Sequence, residues 1–499
     1  MKHIKVITAL IFMTGFFACK DVDVSVINIY HTSGTGGMYA ARTEPVYENQ
    51  EVGGYAVLKN FYEKEQGKKI LFDGGDWFTK TQEGTVGGIP KALELMQMTG
   101  YAASGVSYAD LGAGWGTVSQ QLRGSKMPLL SANLKDNKGE VAAPLFRYII
   151  REVGGIKLGV FSVVVKNSIS GPHTRLNDIN ITDEIAAAKD MVELLKEKEV
   201  DLIIMIVDIA ENADNYDEKI FAEEVEGIDI ILGSAVSGEP GETYKFKDVN
   251  IVKTEPYLAS VSKIRLTLNK EKEVISFKYE NMPLYKDRYG ENEEIKKVVD
   301  DLRQTTHKRY SRSVAENMQD LEDIDSAPSE LGEIVADCIR TWAKTDIAIM
   351  NSDSLRSSLK KGTITEYNLY ELYPYLDTVM TVRVRGGELK NLLEKSIISK
   401  NNFPQISGME VTYDPTGAQG KKIKSIKIKG VTPGENTIYR LATTDHIVAG
   451  GFGHDDFVNV VEFKNTQVEV RSILRQCLSR KKKITPPAKL SWIPLKPSI

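Results

Sequence analysis

Histidine is scarce in this chain: six residues in 499, of which only His3, His31 and His173 precede His307. Imidazole-rich metal clusters need several histidines in one region, so the first half of the chain cannot build one. Cysteine is scarcer still, with only Cys19, Cys338 and Cys477. That excludes a small disulfide-stapled fold and leaves stability to a large apolar core. Whether Cys338 and Cys477 pair is not legible from spacing. Cys338 falls on the apolar face of a predicted helix, so it is expected to be a buried, inert thiol. Charge of one sign is also missing. The formal net charge is −4, and the only dense basic run is Arg480–Lys483. A run of that size reads as a solvated face, and nothing points to a nucleic-acid partner.

Long apolar runs are absent beyond the N-terminus. There, Lys2, His3 and Lys5 precede the apolar stretch Val6–Phe17, with Ala18 and Cys19 following. The stretch is shorter than the ~20 residues that span a bilayer, so 1–18 reads as a signal peptide. A Cys directly after a small residue is expected to carry a lipid, although Phe16 and Phe17 depart from the usual pattern. Cys19 would then anchor the protein to a membrane of the cell envelope, on the periplasmic side or at the outer surface. The acidic-basic pair Lys20-Asp21 weakly favours the outer surface.

What is present is the composition of a globular protein, 41% hydrophobic and 26% charged, at a length that calls for two or three domains. From 24 to 285, short β-branched runs alternate with helical patterns. Val26–Tyr30, Lys69–Phe72, Lys157–Val164, Asp201–Ile206 and Ile228–Leu232 read as strands, several of them apolar enough to be buried on both faces. Ile185–Lys198 reads as a helix between them. The pattern predicts an α/β layered domain. Residues 286–325 are charged and helix-prone, as in a linker helix. A second α/β domain is expected over 326–476. It opens with a helix over Ser329–Lys344 capped by Ser329, with Leu331, Ile334, Val335, Cys338, Ile339 and Trp342 as its buried stripe. The Pro- and Lys-rich segment 477–499 reads as a tail.

Phe72-Asp73-Gly74-Gly75-Asp76 places carboxylates at a strand end beside a tight turn. That is a plausible metal position at the carboxyl edge of a sheet, and also a common turn sequence. It belongs to a longer series of motifs. Leu331–Asp337, Ile349–Arg356 and Gly362–Thr365 in the second half join Ile29–Thr32, Gly75-Asp76, Leu130–Leu134 and Gly227–Gly233 in the first. In this order they resemble the 5′-nucleotidases, including the periplasmic UDP-sugar hydrolases. The resemblance covers nearly the whole chain after the leader. It implies a calcineurin-like metallophosphatase sandwich followed by a nucleotide-specificity domain, and catalysis through two divalent metals that activate water.

The resemblance also implies where the ligands should be, and most are missing. Where the family has His-Thr-Asn-Asp-x-His, this chain reads His31-Thr32-Ser33-Gly34-Thr35-Gly36, so both ligands are glycine. The bridging Asp is kept as Asp76. The family's Gly-Asn-His-Glu falls on Ser107-Tyr108-Ala109-Asp110, putting Tyr108 and Ala109 at the ligand and catalytic positions. A later His falls on Asp208, and Gly-Gly-His-x-His on Gly233-Ser234-Ala235-Val236-Ser237. Asp76, with Asp208 as a possible second carboxylate, is all that remains. No cofactor is therefore expected, and small residues should leave a hole.

In the second domain the resemblance assigns ligand contacts to Asn351, Arg356, Tyr375, His446 and Phe452. Asn351 and Arg356 are kept in kind. Tyr375 offers a stacking face and His446 a smaller one. Phe452 replaces an Asp, and Asp325 falls near a family Arg, which disfavours a phosphate. Three readings follow. The first is a non-hydrolytic lipoprotein that binds a nucleoside-like ligand or a partner. The second is an active 5′-nucleotidase with a remodelled site, acting in nucleotide catabolism. The third is a structural subunit of an active paralogue.

Overall fold

The computed structural model describes residues 24–165, 176, 178–209, 217–235, 241–322, 324, 326–397, 403–448 and 462–495. Cys19, His173, Asp325, Val236, Ser237 and Phe452 lie outside the described residues. The first domain is built on two six-stranded sheets. One runs Val274–Pro283, Ser260–Leu268, Ser25–Thr32, Lys68–Asp73, Ala103–Gly105, Leu129–Leu130. The other runs Glu242–Phe246, Val249–Thr254, Ile230–Ser234, Leu202–Ile206, Ile156–Ser162, Tyr148–Val153. In the first sheet, pairing is antiparallel from Val274–Pro283 through Ser25–Thr32 and parallel from there to Leu129–Leu130. In the second, the two edge pairings are antiparallel and the inner ones parallel. All five strands expected from apolar runs are present, shifted by one or two residues at their ends.

The strands are apolar on both sides because both sides are covered. Ile27, Ile29, Phe72, Val160, Ile204 and Leu232 pack between the sheets. Tyr30, Leu71 and Val261 face helices Tyr55–Lys64 and Gln82–Thr99, while Phe161, Met205 and Ile231 face helix Glu184–Glu197. The result is a four-layer sandwich, helices outside two facing sheets.

The helix expected as a linker, Glu293–Tyr310, packs on the first domain. Its Ile295, Val299 and Leu302 are buried in the same cluster as Leu93 and Met96. Ile295, Val299 and Leu302, continued by Thr306 and Tyr310, lie on one face, too sparse to stand out from a charged sequence.

The second domain has a five-stranded sheet ordered Pro404–Ser407, Ile347–Asn351, Ile438–Thr444, Thr378–Arg385, Glu462–Glu469. Helix Glu330–Ala343 is capped by Ser329, whose hydroxyl accepts from the Gly332 N–H at 2.9 Å. Its stripe is buried as expected, apart from Trp342, which is only partly covered. The described part of the segment read as a tail, up to residue 495, is built into the fold. Lys483–Ile484 pairs with Ser313–Asn317, and Trp492–Pro494 pairs with Met409–Tyr413.

The cysteine expectation is overturned. Cys338 and Cys477 form a disulfide that ties helix Glu330–Ala343 to helix Val470–Lys481 across 139 residues. Cys338 is buried, as expected, but its partner comes from a helix that packs on the same face. Only tertiary structure could bring them together.

Candidate functional site

The loops after Thr32, Asp73, Ile206 and Ser234 meet in one crevice at the carboxyl edge of the two sheets. Ser33 Oγ lies 3.4 Å from Asp208 Oδ1, and a Cβ on Gly34 would lie 3.5 Å from Ser234 Oγ. This is where such folds place ligands. Four carboxylates converge here: Asp73, Asp76, Asp110 and Asp208.

Two of them are consumed in holding the loops. Asp73 is fully buried and accepts hydrogen bonds from Thr32 Oγ1 at 2.6 Å, the Gly75 N–H at 2.9 Å, and Trp77 Nε1 and Ser104 Oγ, each at 3.1 Å. Burial still pushes it up to about 6. Asp110 is also fully buried. It accepts from the N–H groups of Asp76, Trp77 and Ser107 and from Ser107 Oγ, at 2.9–3.0 Å. Burial, then the charge of Asp76, pushes it up to about 7, against the pull of those four donors.

That leaves Asp76 and Asp208. Asp76 takes a left-handed backbone (φ 54°) and accepts from Thr79 Oγ1 at 2.9 Å. Burial, then the charges of Asp76 and Asp110, holds the Asp208 carboxyl well above the usual carboxylate range. An anion in such company calls for a cation, and Lys80 supplies one: its Nζ is 3.9 Å from Asp76 Oδ2.

The expected hole is filled. Gly34 and Gly36 both have φ 60°. Their N–H groups donate to the carbonyls of Gly75 at 2.9 Å and Asp76 at 2.7 Å, and the Lys80 N–H donates back to Gly36 O at 2.8 Å. A Cβ on Gly36 would sit 2.7 Å from Lys80 Cγ, and one on Gly34 would sit 3.1 Å from Pro256 Cβ. The aliphatic stem of Lys80 therefore occupies the place a longer side chain at residue 36 would need. On the opposite wall, buried Glu218 comes within 2.5 Å of a Cβ on Gly233 and pairs with Lys253 at 3.0 Å. Tyr108 turns its ring toward the helix-side core. His31 is fully buried, bonded through Nδ1 to Thr254 Oγ1 at 2.7 Å, and burial drops it to about 3, so its ring is neutral.

A dimetal centre of the kind the resemblance implies does not fit these residues. Asp76 and Asp208 aside, its ligand positions among the described residues hold glycine, tyrosine and alanine. Lysine stems and backbone turns fill the space, and two of the four carboxylates are committed. Among the described residues no group of three or more His, Cys, Asp or Glu side chains is arranged to hold a metal ion.

At the second domain's sheet end, Arg356 and Tyr375 meet: the guanidinium carbon is 5.9 Å from the ring centroid. Arg356 also reaches Asp353 at 3.1 Å. Asn351 ends the strand Ile347–Asn351 and is only 2% exposed. Its Oδ1 accepts from Ser354 Oγ at 2.8 Å, while its Nδ2 is buried without a partner. His446 follows the neighbouring strand. Asp445 beside it accepts from the Thr378 N–H at 3.0 Å and Thr378 Oγ1 at 2.9 Å, fixing His446 to the end of the sheet that carries Tyr375. Lys80 and Glu218 were missed by sequence reasoning. Lys80 stands four residues after Asp76, a spacing that could have flagged it.

The layered two-sheet sandwich joined to this second domain is the two-domain fold of solved 5′-nucleotidases. Residues 306–462 match the family model described as "5'-nucleotidase, C-terminal domain". The chain is 24% identical over 460 residues to a trifunctional nucleotide phosphoesterase of Bacillus subtilis, covering 80% of this chain but only 31% of that protein. It is 23% identical over 492 residues to the 5′-nucleotidase of Rattus norvegicus, covering 87% of this chain and 84% of that one. Among solved structures, the 5′-nucleotidase precursor of Thermus thermophilus superposes with a TM-score of 0.64 at 19% identity, covering 95% of this chain and 100% of that one. Residues 306–462 therefore belong to the 5′-nucleotidase C-terminal domain family, and the chain as a whole is similar to 5′-nucleotidases.

Proposed function

We propose that this protein is a non-hydrolytic member of its family that binds a nucleoside-like ligand through the second domain. The observation that carries the reading is the first strand's terminus. Gly34 and Gly36 stand in left-handed turns where metal ligands belong, with Lys80 packed over Gly36 and its ammonium beside Asp76. A lysine charge takes the part of the cation, and no metal or other cofactor is needed to neutralise the crevice. Losing even one charge-stabilising group costs about 10²–10³ in rate, and here nearly the whole set is gone.

The second domain supports ligand binding. Asn351 offers an unsatisfied buried donor, Arg356 a half-exposed guanidinium and Tyr375 a ring that is 36% exposed. A donor buried without a partner costs about 1–3 kcal/mol, and a ligand acceptor would recover it. The disulfide suits an oxidising compartment. It agrees with a cell-envelope protein held to the membrane through a lipid on Cys19. No helix among the described residues is long and apolar enough to cross a membrane.

Two measurements test this. Phosphate release from AMP, ADP and UDP-glucose is followed with added Mn²⁺, Zn²⁺ or Ca²⁺, and no turnover above background is expected. Metal-dependent turnover abolished by Asp76→Ala would falsify the non-hydrolytic reading. Adenosine, AMP and UDP-glucose are then titrated calorimetrically. Saturable binding weakened by Arg356→Ala and Tyr375→Ala is expected, and its absence at millimolar ligand would leave only a structural role.

A further inference from the structure

We infer that a small-anion site lies between the two domains, apart from the Asn351, Arg356 and Tyr375 side chains proposed above to bind a ligand. A cavity of about 240 Å³ opens there. Arg309 reaches it from helix Glu293–Tyr310, which is docked on the first domain. Arg471 and Arg475 reach it from helix Val470–Lys481 in the second. Two carboxylates, Glu366 and Glu469, also line it.

The charges do not cancel. Glu469 is 4.0 Å from Arg471. Neither Arg309 nor Arg475 has a carboxylate within ion-pair distance among the described residues. Arg309 stacks on Tyr310, 5.9 Å from the ring centroid. Arg471 is fixed in place: its side chain is 12% exposed, Nη1 donates to the carbonyls of Tyr373 at 3.3 Å and Pro374 at 3.4 Å, and its guanidinium lies 4.9 Å over Tyr370. Its unused N–H groups are thus held at the cavity wall. Ser472 adds a hydroxyl in the first turn of the same helix, whose N-terminal end carries partial positive charge.

Part of the floor is apolar, with Phe78 from one domain and Leu369 and Leu376 from the other, and Thr85, Thr117 and Gln121 add neutral polar groups beside it. Guanidiniums above an apolar floor suit an anion mounted on a ring. The volume is below the ~300–1,000 Å³ of ordinary ligand pockets. The ligand class is therefore a monophosphate or carboxylate on a single ring, smaller than a nucleotide. Because its charge would be held by arginines from both domains, binding would also resist their separation.

Phenyl phosphate is the probe, titrated calorimetrically into the full-length protein, its Arg309→Ala/Arg475→Ala variant and its Arg356→Ala/Tyr375→Ala variant. Arg309 and Arg475 are exposed, so folding is expected to survive, and a matching circular dichroism melt confirms it. Saturable binding weakened at least tenfold by Arg309→Ala/Arg475→Ala and unchanged by Arg356→Ala/Tyr375→Ala supports the site. Equal binding to the wild type and Arg309→Ala/Arg475→Ala overturns it, as does no binding at millimolar probe. Loss only in Arg356→Ala/Tyr375→Ala overturns it too, and assigns the anion to the second-domain pocket instead.

Discussion

Opening the Cys338–Cys477 disulfide should destabilise the second domain and leave the first standing. The bond closes a loop of 139 residues. In the chain-entropy account, a loop of that length restricts the unfolded chain by about 5 kcal/mol at 25 °C, and measured effects fall at or below such values. A loss of about 2–5 kcal/mol is therefore expected. For a domain of this size, each kcal/mol shifts the melting temperature by about 2–4 °C, which gives a fall of roughly 5–20 °C. The experiment is differential scanning calorimetry of the oxidised protein, the reduced protein and the Cys338→Ala/Cys477→Ala variant. One transition should move and the other should not, because the first domain's core shares no residue with the helices the bond joins. Thiol titration of the unreduced protein in denaturant should find neither Cys338 nor Cys477 reactive. Two reactive thiols from these positions, or an unmoved melting profile on reduction, refutes the reasoning.

The other expectations are simpler to check. Gly36→Ala puts a side chain at φ 60° against Lys80, which should cost about 1–3 kcal/mol in urea unfolding. If the stability is unchanged, the crevice is looser than described. Asp110 is raised by burial from 3.8 to about 7, so its contribution is fully present below about pH 3.8 and is lost as pH rises through about 7. Asp110→Asn should flatten that decline between pH 4 and 7 while lowering stability throughout, since an amide cannot serve all four donors; an unchanged slope in pH-dependent unfolding would count against this. Ile295→Ala should cost the first domain about 2–5 kcal/mol, because the side chain is 1% exposed within its core. A value near zero would return helix Glu293–Tyr310 to the status of a connector.

Much of the fold was legible because it rests on local pattern. The five apolar strands, the helix near 184–197 and the Ser329 cap each follow from residues adjacent in sequence. The docking of Glu293–Tyr310 was harder to read, since five buried positions, only three of them aliphatic, carry a helix whose other residues are mostly polar. The ordering of Lys483–Ile484 and Trp492–Pro494 was not legible at all. Two or three residues make a strand only when a distant edge is there to pair with them.

The candidate site divides in the same way. Which side chains stand at each position could be read directly from the chain: glycine at 34 and 36, alanine at 109, a kept Asp76, Asn351 and Arg356. Residue identity needs no coordinates, and it sufficed to place glycine, tyrosine and alanine where the resemblance implies metal ligands. What took their place emerged only from three-dimensional packing. Lys80 folding over Gly36, Glu218 filling the space above Gly233, and Cys338 meeting Cys477 all join residues through space. A side chain's reach is a few ångströms, and which neighbours fall within it is settled by how sheets and helices pack, long after local propensity has made its choices.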